Sequence, residues 1–166
     1  MARDDFCDNC GTRYADTSAY PRRCGACGVM VWANPSPVVV VLVPVKDGAR
    51  TGLLTVRRAI PPVGELAFVS GFIERGESWQ QSAARELEEE ANVLIAPEDL
   101  RPLHFVSTPD GGTVLMFAAA SPVDLEDLPP FVPNDEASER TVIFERVPLA
   151  FPLHDEVAEK YFSTEQ

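Results

Sequence analysis

The 166-residue sequence contains no apolar run of membrane-spanning length. Its longest, Pro37 to Val45, is β-branched and too short to cross a bilayer. Met1-Ala2-Arg3-Asp4-Asp5 has none of the character of a signal peptide, so a cytoplasmic protein is expected. Positive charge is scarce as well: 14 Lys and Arg stand against 26 Asp and Glu, a net charge of −12. Nucleic-acid binding through a general electrostatic field needs clustered cations and is not expected here. The same charge repels an anionic ligand unless metal ions and local arginines neutralise it. Histidine is almost absent. His104 and His154 are the only two, neither stands in a ligand-like cluster, and each is expected to be structural or superficial. No internal repeat is visible. What remains is a 45% hydrophobic content, enough for the core of one domain with a small module attached.

Cysteine is sparse but patterned. Cys7-x2-Cys10 and Cys24-x2-Cys27 are separated by thirteen residues, close to the spacing of two zinc-ribbon knuckles. Gly11, Gly25 and Gly28 supply tight backbone beside them. Two disulfides or unrelated thiols are the alternatives, and disulfides are disfavoured without a secretory signal. A closed Cys₄ shell leaves no open coordination position, so a Zn²⁺ held there is structural. Residues 1–33 are therefore expected to form a ribbon that needs its metal to fold, and residues 34–166 a second domain.

The most informative stretch is Gly71 to Val93. Ser78-Trp79-Gln80-Gln81 has the capping-box pattern, and the Ala-, Leu-, Glu- and Arg-rich run after it predicts a helix over Trp79–Ala91. At about 100° per residue, Glu86, Glu89 and Glu90 share one arc, bordering the apolar stripe Ala83, Leu87 and Ala91. Like charges at i,i+4 oppose one another. A hard divalent cation with oxygen ligands removes that penalty. Taken alone, an acidic run more often marks a solvated helix face.

The wider spacing adds to this. Gly71, Glu77, Arg85-Glu86-Leu87, Glu89-Glu90 and Asn92-Val93 together resemble the Nudix box, whose family hydrolyses nucleoside diphosphates linked to another moiety. Asn92 departs from the family's glycine, but asparagine tolerates the left-handed conformation that ends a helix. The resemblance implies an α+β fold, the Nudix α/β/α sandwich. It implies Mg²⁺ or Mn²⁺ on Glu86, Glu89 and Glu90, with Glu86 a candidate base for the attacking water. Glu77 and Arg85 would orient these carboxylates, and Glu88, on the far side, would be solvated. A further carboxylate from a later loop is expected, Glu139 fitting best and Asp135 and Glu136 less well. The implied substrate is a small nucleotide derivative, without membrane or nucleic-acid partners and with a homodimer left open. The alternative is a binding module that senses a nucleotide or docks a protein, but such modules usually lose the box acids retained here.

A ribbon followed by this box resembles the NADH pyrophosphatases and their relatives acting on ADP-ribose or FAD. The former carry S-Q-P-W after the box, where this chain has Ser107-Thr108-Pro109-Asp110. The missing aromatic surface, worth about 1–3 kcal/mol to a stacked base, predicts that strict NADH selectivity is absent. Trp32 and Phe72 could replace that platform, although core packing is expected of both. Elsewhere, strands are expected at Val38–Val45, Gly52–Arg58, Glu65–Ser70, Val93–Ala96, Leu103–Ser107, Thr113–Ala120 and Thr141–Phe144. Arg57 and Arg58 alternate faces, with a solvated edge the expected place for each. Val123 to Ser138, acidic and proline-rich, reads as a mobile loop, and His154–Phe162 as a terminal helix.

Overall fold

The computed structural model describes residues 5–164. Met1 to Asp4, part of the stretch without signal-peptide character, lie outside them. The chain divides into two compact units, Met1–Pro35 and Ser36–Gln166. In the first, β1 (Arg22–Arg23) and β2 (Met30–Val31) pair antiparallel. Two turns of identical pattern frame the cysteines. Gly11 N donates to Cys7 O and Gly28 N to Cys24 O, at 2.7 and 2.9 Å, and both glycines have positive φ.

The second unit begins with the valine run, which forms two strands rather than one. β3 (Ser36–Leu42) and β4 (Pro44–Asp47) are separated at Val43 and belong to different sheets. One sheet has the order β10-β4-β5-β11, where β5 is Arg50–Arg58, β10 Val123–Asp124 and β11 Ala137–Ile143, with β6 (Leu66–Ala67) also on β5. The other has the order β7-β3-β9-β8, with β7 Val69–Phe72, β8 Arg101–Ser107 and β9 Thr113–Ala119. Side chains alternate across a strand, so Val39, Val41, Val43 and Val45 pack with helix α1 (Trp79–Ala91). Val40 and Leu42 face helix α2 (Pro152–Thr164) through Leu53, Phe68, Phe117 and Ala158. Burial on both faces explains the unbroken β-branched pattern, and it yields the expected α+β sandwich.

Three further segments depart from the sequence reading. Val93–Ala96 alternates buried and exposed residues as a strand would, yet it pairs with no strand among the described residues. β11 begins at Ala137, four residues before the expected Thr141. The acidic segment contains β10, a 3₁₀ turn at Leu125–Asp127 and the start of β11. It is also hydrogen-bonded to the C-terminus of α1 through Asn92 and Asn134, as is Arg140 of β11 just beyond it. Among the described residues no helix is long and apolar enough to cross a membrane.

Candidate active site

Helix α1 starts where its sequence says it should. Ser78 Oγ accepts from Gln81 N–H and Gln81 Oε1 from Ser78 N–H, at 3.2 and 2.8 Å. Ala83, Leu87 and Ala91 are fully buried. At the other end Asn92 adopts φ 54°, ψ 35°, the left-handed cap expected of it. Between these ends the helix presents Glu86 and Glu90 to the neighbouring sheet, with 7% and 6% of their surface exposed, whereas Glu88 and Glu89 face solvent.

Close approach is what buries Glu86. A methyl group at Gly71, on β7, would lie 1.9 Å from Glu86 Oε1, so only glycine lets the carboxylate rest on that strand. Arg85 binds the acids around it. Its Nε and Nη2 donate to the two oxygens of Glu77 at 2.9 and 3.2 Å, a bidentate pair. Its Nη1 donates to Glu86 Oε1 at 2.7 Å and to Glu89 Oε2 at 3.1 Å. Nη2 also reaches Phe72 O and Ser82 Oγ. Arg85 therefore holds Glu77 well below the usual carboxylate range, while its own pKa is driven up, mainly by Glu77.

Compensation is incomplete deeper in. Burial raises the Glu86 pKa against the pull of Arg85, with repulsion from Glu89 and Glu136 adding to the rise. Glu90 is pushed up to about 8, first by burial and then by Glu86 and Glu136, although the Ser70 N–H donates to it. The Glu136 carboxylate thus lies close to both Glu86 and Glu90 and adds to the repulsion between them.

Glu136, not Glu139, is thus the later-segment acid beside the helix glutamates. Glu139 lies opposite Arg57 in the β5–β11 register, past a bulge at Ala137, and pairs with its Nε at 2.6 Å. Arg57 is committed there and to Gly64 O. Asp135 is exposed. The sequence ranked Glu139 first because only the sheet register reveals that it lies opposite Arg57. Phe72 and Trp32 are 63% and 64% exposed, so neither is a core residue.

The acids suit a divalent cation by their chemistry: oxygen donors, excess negative charge and a buried carboxyl, Glu90, whose raised pKa metal charge would lower. They are more widely spread than the cysteines, whose four sulfurs lie within 4.8 Å of one another. Cys7 Sγ–Cys27 Sγ and Cys10 Sγ–Cys24 Sγ are 3.7 and 3.6 Å, and no disulfide forms. A tetrahedron with Zn–S bonds of about 2.3 Å has edges of about 3.8 Å. Burial favours the Cys7 thiol, yet the Cys10 and Asn9 N–H groups draw it down to about 6.

The NUDIX domain model matches residues 35–162. The chain belongs to the Nudix family. It is 37% identical over 92 residues to the NAD-capped RNA hydrolase NudC of Pseudomonas aeruginosa, covering 55% of this chain and 32% of that protein. The chain thus spans about a third of the curated relatives' length. A NUDIX hydrolase from Nitrosomonas europaea superposes with TM-score 0.72 at 26% identity, covering 96% of this chain and 90% of its own. A bifunctional NMN adenylyltransferase/ADP ribose pyrophosphatase from Francisella tularensis, complexed with AMP and Mn, gives TM-score 0.55 at 26% identity, covering 68% and 34%.

In this Nudix domain Ser70, next to Gly71 and pointing to the opposite face of β7, lines a cavity of about 360 Å³. Val38, Thr108, Pro109, Leu115, Phe151 and His154 complete most of its wall. His154 stacks on Phe68 at 5.6 Å and meets Phe151 edge-on at 5.0 Å. Burial holds its pKa down to about 3, assisted by Arg58, and its Nδ1 has no partner. His104 lies on the surface. Asp110 is drawn into its own turn, accepting from Thr108 Oγ1 at 2.6 Å and Gly112 N at 3.0 Å. No clue in the local sequence separated His154, in a helix beyond the box, from any other core residue.

Proposed function

We propose that this chain hydrolyses the diphosphate bond of nucleoside diphosphate derivatives with Mg²⁺ or Mn²⁺, and that its cysteines hold a structural Zn²⁺. The observation that carries the first part is the incompletely compensated acid group Glu86, Glu90 and Glu136, which costs stability unless it serves a cation. Glu86, Glu89 and Glu90 hold the metal, joined by Glu136. A bound cation would polarise the diphosphate and lower the pKa of the attacking water. Arg85, fixed by Glu77, keeps Glu86 and Glu89 from separating. Glu86 is the base named by the box; Glu136, exposed and held by no arginine among the described residues, is the second.

The cavity across β7 receives the organic part of the substrate. Its volume is within the roughly 300–1,000 Å³ of small-molecule sites, and it offers mostly apolar walls with the neutral imidazole of His154, the hydroxyls of Ser70, Thr108 and Thr113, and the Glu156 carboxylate as polar partners. A neutral heteroaromatic ring fits these groups, while the phosphates stay with the acids around the strand edge. The Trp-less turn after β8 supports preference for ADP-ribose-like or FAD-like substrates over NADH.

Phosphate-release assays with Mg²⁺ or Mn²⁺ test this on NADH, ADP-ribose, FAD and an NAD-capped RNA end. The capped RNA is included because the curated relatives carry that name, although the net charge of −12 argues against extended RNA contact. Turnover of ADP-ribose or FAD is expected. An NADH kcat/KM at least tenfold above both refutes the preference; binding without turnover of any of the four establishes the sensing module instead.

A further inference from the structure

The last carbonyls of a helix have no partners within it, and those of α1 are met in an unusual way. Asn92 N closes on Glu88 O at 3.1 Å and Val93 N on Leu87 O at 3.0 Å, as a left-handed cap provides. The carbonyls beyond are taken by the segment leading into β11 and by β11 itself. Asn134 Nδ2 donates to Glu89 O at 2.8 Å and Arg140 Nη1 to Ala91 O at 2.7 Å. In the reverse direction Asn92 Oδ1 accepts from Val132 N at 2.7 Å. The glycine found in the family pattern has no atom for that bond.

Asn134 uses the other end of its amide as well. Its Oδ1 accepts from Glu136 N at 3.0 Å and from Ala137 N at 2.8 Å. A flipped amide would set oxygen against carbonyl oxygens and NH₂ against N–H groups, so its orientation is determined. One planar group therefore joins the main chain of the metal-facing helix to the main chain of Glu136. Without such a tie the repulsion among Glu86, Glu90 and Glu136 would favour moving the segment away.

We propose that Asn134 is a positioning residue of the active site, holding Glu136 against Glu90, and that Asn92 supplies a second tie through its side chain. The proposal rests on the reading of these acids as a metal site. Asn134 touches neither substrate nor metal; it acts through Glu136.

A double-mutant cycle tests it. Asn134→Ala should lower kcat about tenfold with KM within twofold, a scale set by the sensitivity of catalysis to sub-ångström misplacement. Combined with Glu136→Gln, it should add nothing to the loss from Glu136→Gln alone. Mn²⁺ titration of the full chain, followed by electron paramagnetic resonance, should show weaker binding in Asn134→Ala and the same masking by Glu136→Gln. Asn92→Gly, which keeps the left-handed cap, should show a smaller loss of the same kind and serves if Asn134→Ala fails to fold. Independent, multiplying losses in the double variant overturn the positioning role and leave hydrolysis standing. So does a silent Glu136→Gln beside an inactive Glu86→Gln. If the wild-type chain turns over none of the substrates, the hydrolase reading falls and the Mn²⁺ cycle alone decides: unchanged affinity in Asn134→Ala overturns the tie.

Discussion

The cysteine centre and the glutamate centre both crowd like groups together, and they differ in how the crowding is resolved. Around the cysteines two copies of one turn converge, each with a glycine N–H returned to the first cysteine carbonyl, and the four sulfurs close on a single point. The glutamates come from a helix and the segments before and after it without symmetry, and one arginine serves Glu77, Glu86 and Glu89 while no arginine among the described residues pairs with Glu90 or Glu136. A closed donor set has nothing left to offer a substrate. An open one leaves coordination positions for phosphate oxygens and water, and its metal-free form carries the electrostatic cost.

The contrast is broken most directly by neutralising an acid. Glu86→Gln should lower turnover about 100-fold or more, the order seen on removing one electrostatic contact at a reacting centre. Its circular dichroism should be unchanged, and full activity would remove Glu86 from the site. Cys24→Ser should do the reverse. Bound zinc, read by metal analysis, should fall from one per chain to below one half, with local unfolding of residues 5–35 seen by amide exchange. Purified wild-type protein without zinc or another tetrahedral metal would reject the closed centre.

Gly71→Ala sharpens the comparison without touching charge. The added methyl must displace Glu86, so a roughly tenfold or greater loss in kcat is expected. Smaller still is the pH effect. The folded chain holds the Glu90 proton to about pH 8, whereas the ordinary value is 4.5. Folded protein thus binds more protons between those limits, and stability must fall as pH rises through them. In Mg²⁺-free buffer the Tm should drop by a few degrees from pH 5 to pH 8, on the scale of about 2–4 °C per kcal/mol. Mg²⁺ should restore more at pH 8 than at pH 5, and Glu90→Gln should flatten the profile. A Tm independent of pH and Mg²⁺ would contradict the buried acid pair.

Local spacing made much of this legible. The capping box, the apolar stripe Ala83–Leu87–Ala91, the cap at Asn92 and the cysteine knuckles all lie within a few residues of their partners, so residue type and separation sufficed. The missed features depend on contacts distant in sequence. The passage of Val43 between sheets, the early start of β11 and the absence of a partner for Val93–Ala96 are decided by which strands meet. The same holds for Glu139, which a bulge turns toward Arg57 while Glu136 faces the helix. Asn134 looked like part of an acidic loop because its partners, Glu89 and Glu136, lie on two elements that only the fold brings together.

The contact of Glu86 with Gly71 has a mechanical meaning. A carboxylate at the end of a flexible chain normally samples several rotamers, and its position is then an average over torsions. Here the main chain of β7 is a hard stop, so the placement of Glu86 is set by the gap between a strand and a helix. Both are anchored in the same valine-rich core, and neither can shift alone without losing packing. The accuracy of the acidic edge is therefore inherited from the thickness of a core layer. Substitutions at buried, uncharged residues such as Val39, the register partner of Gly71, or Val69 would move the acids as a body.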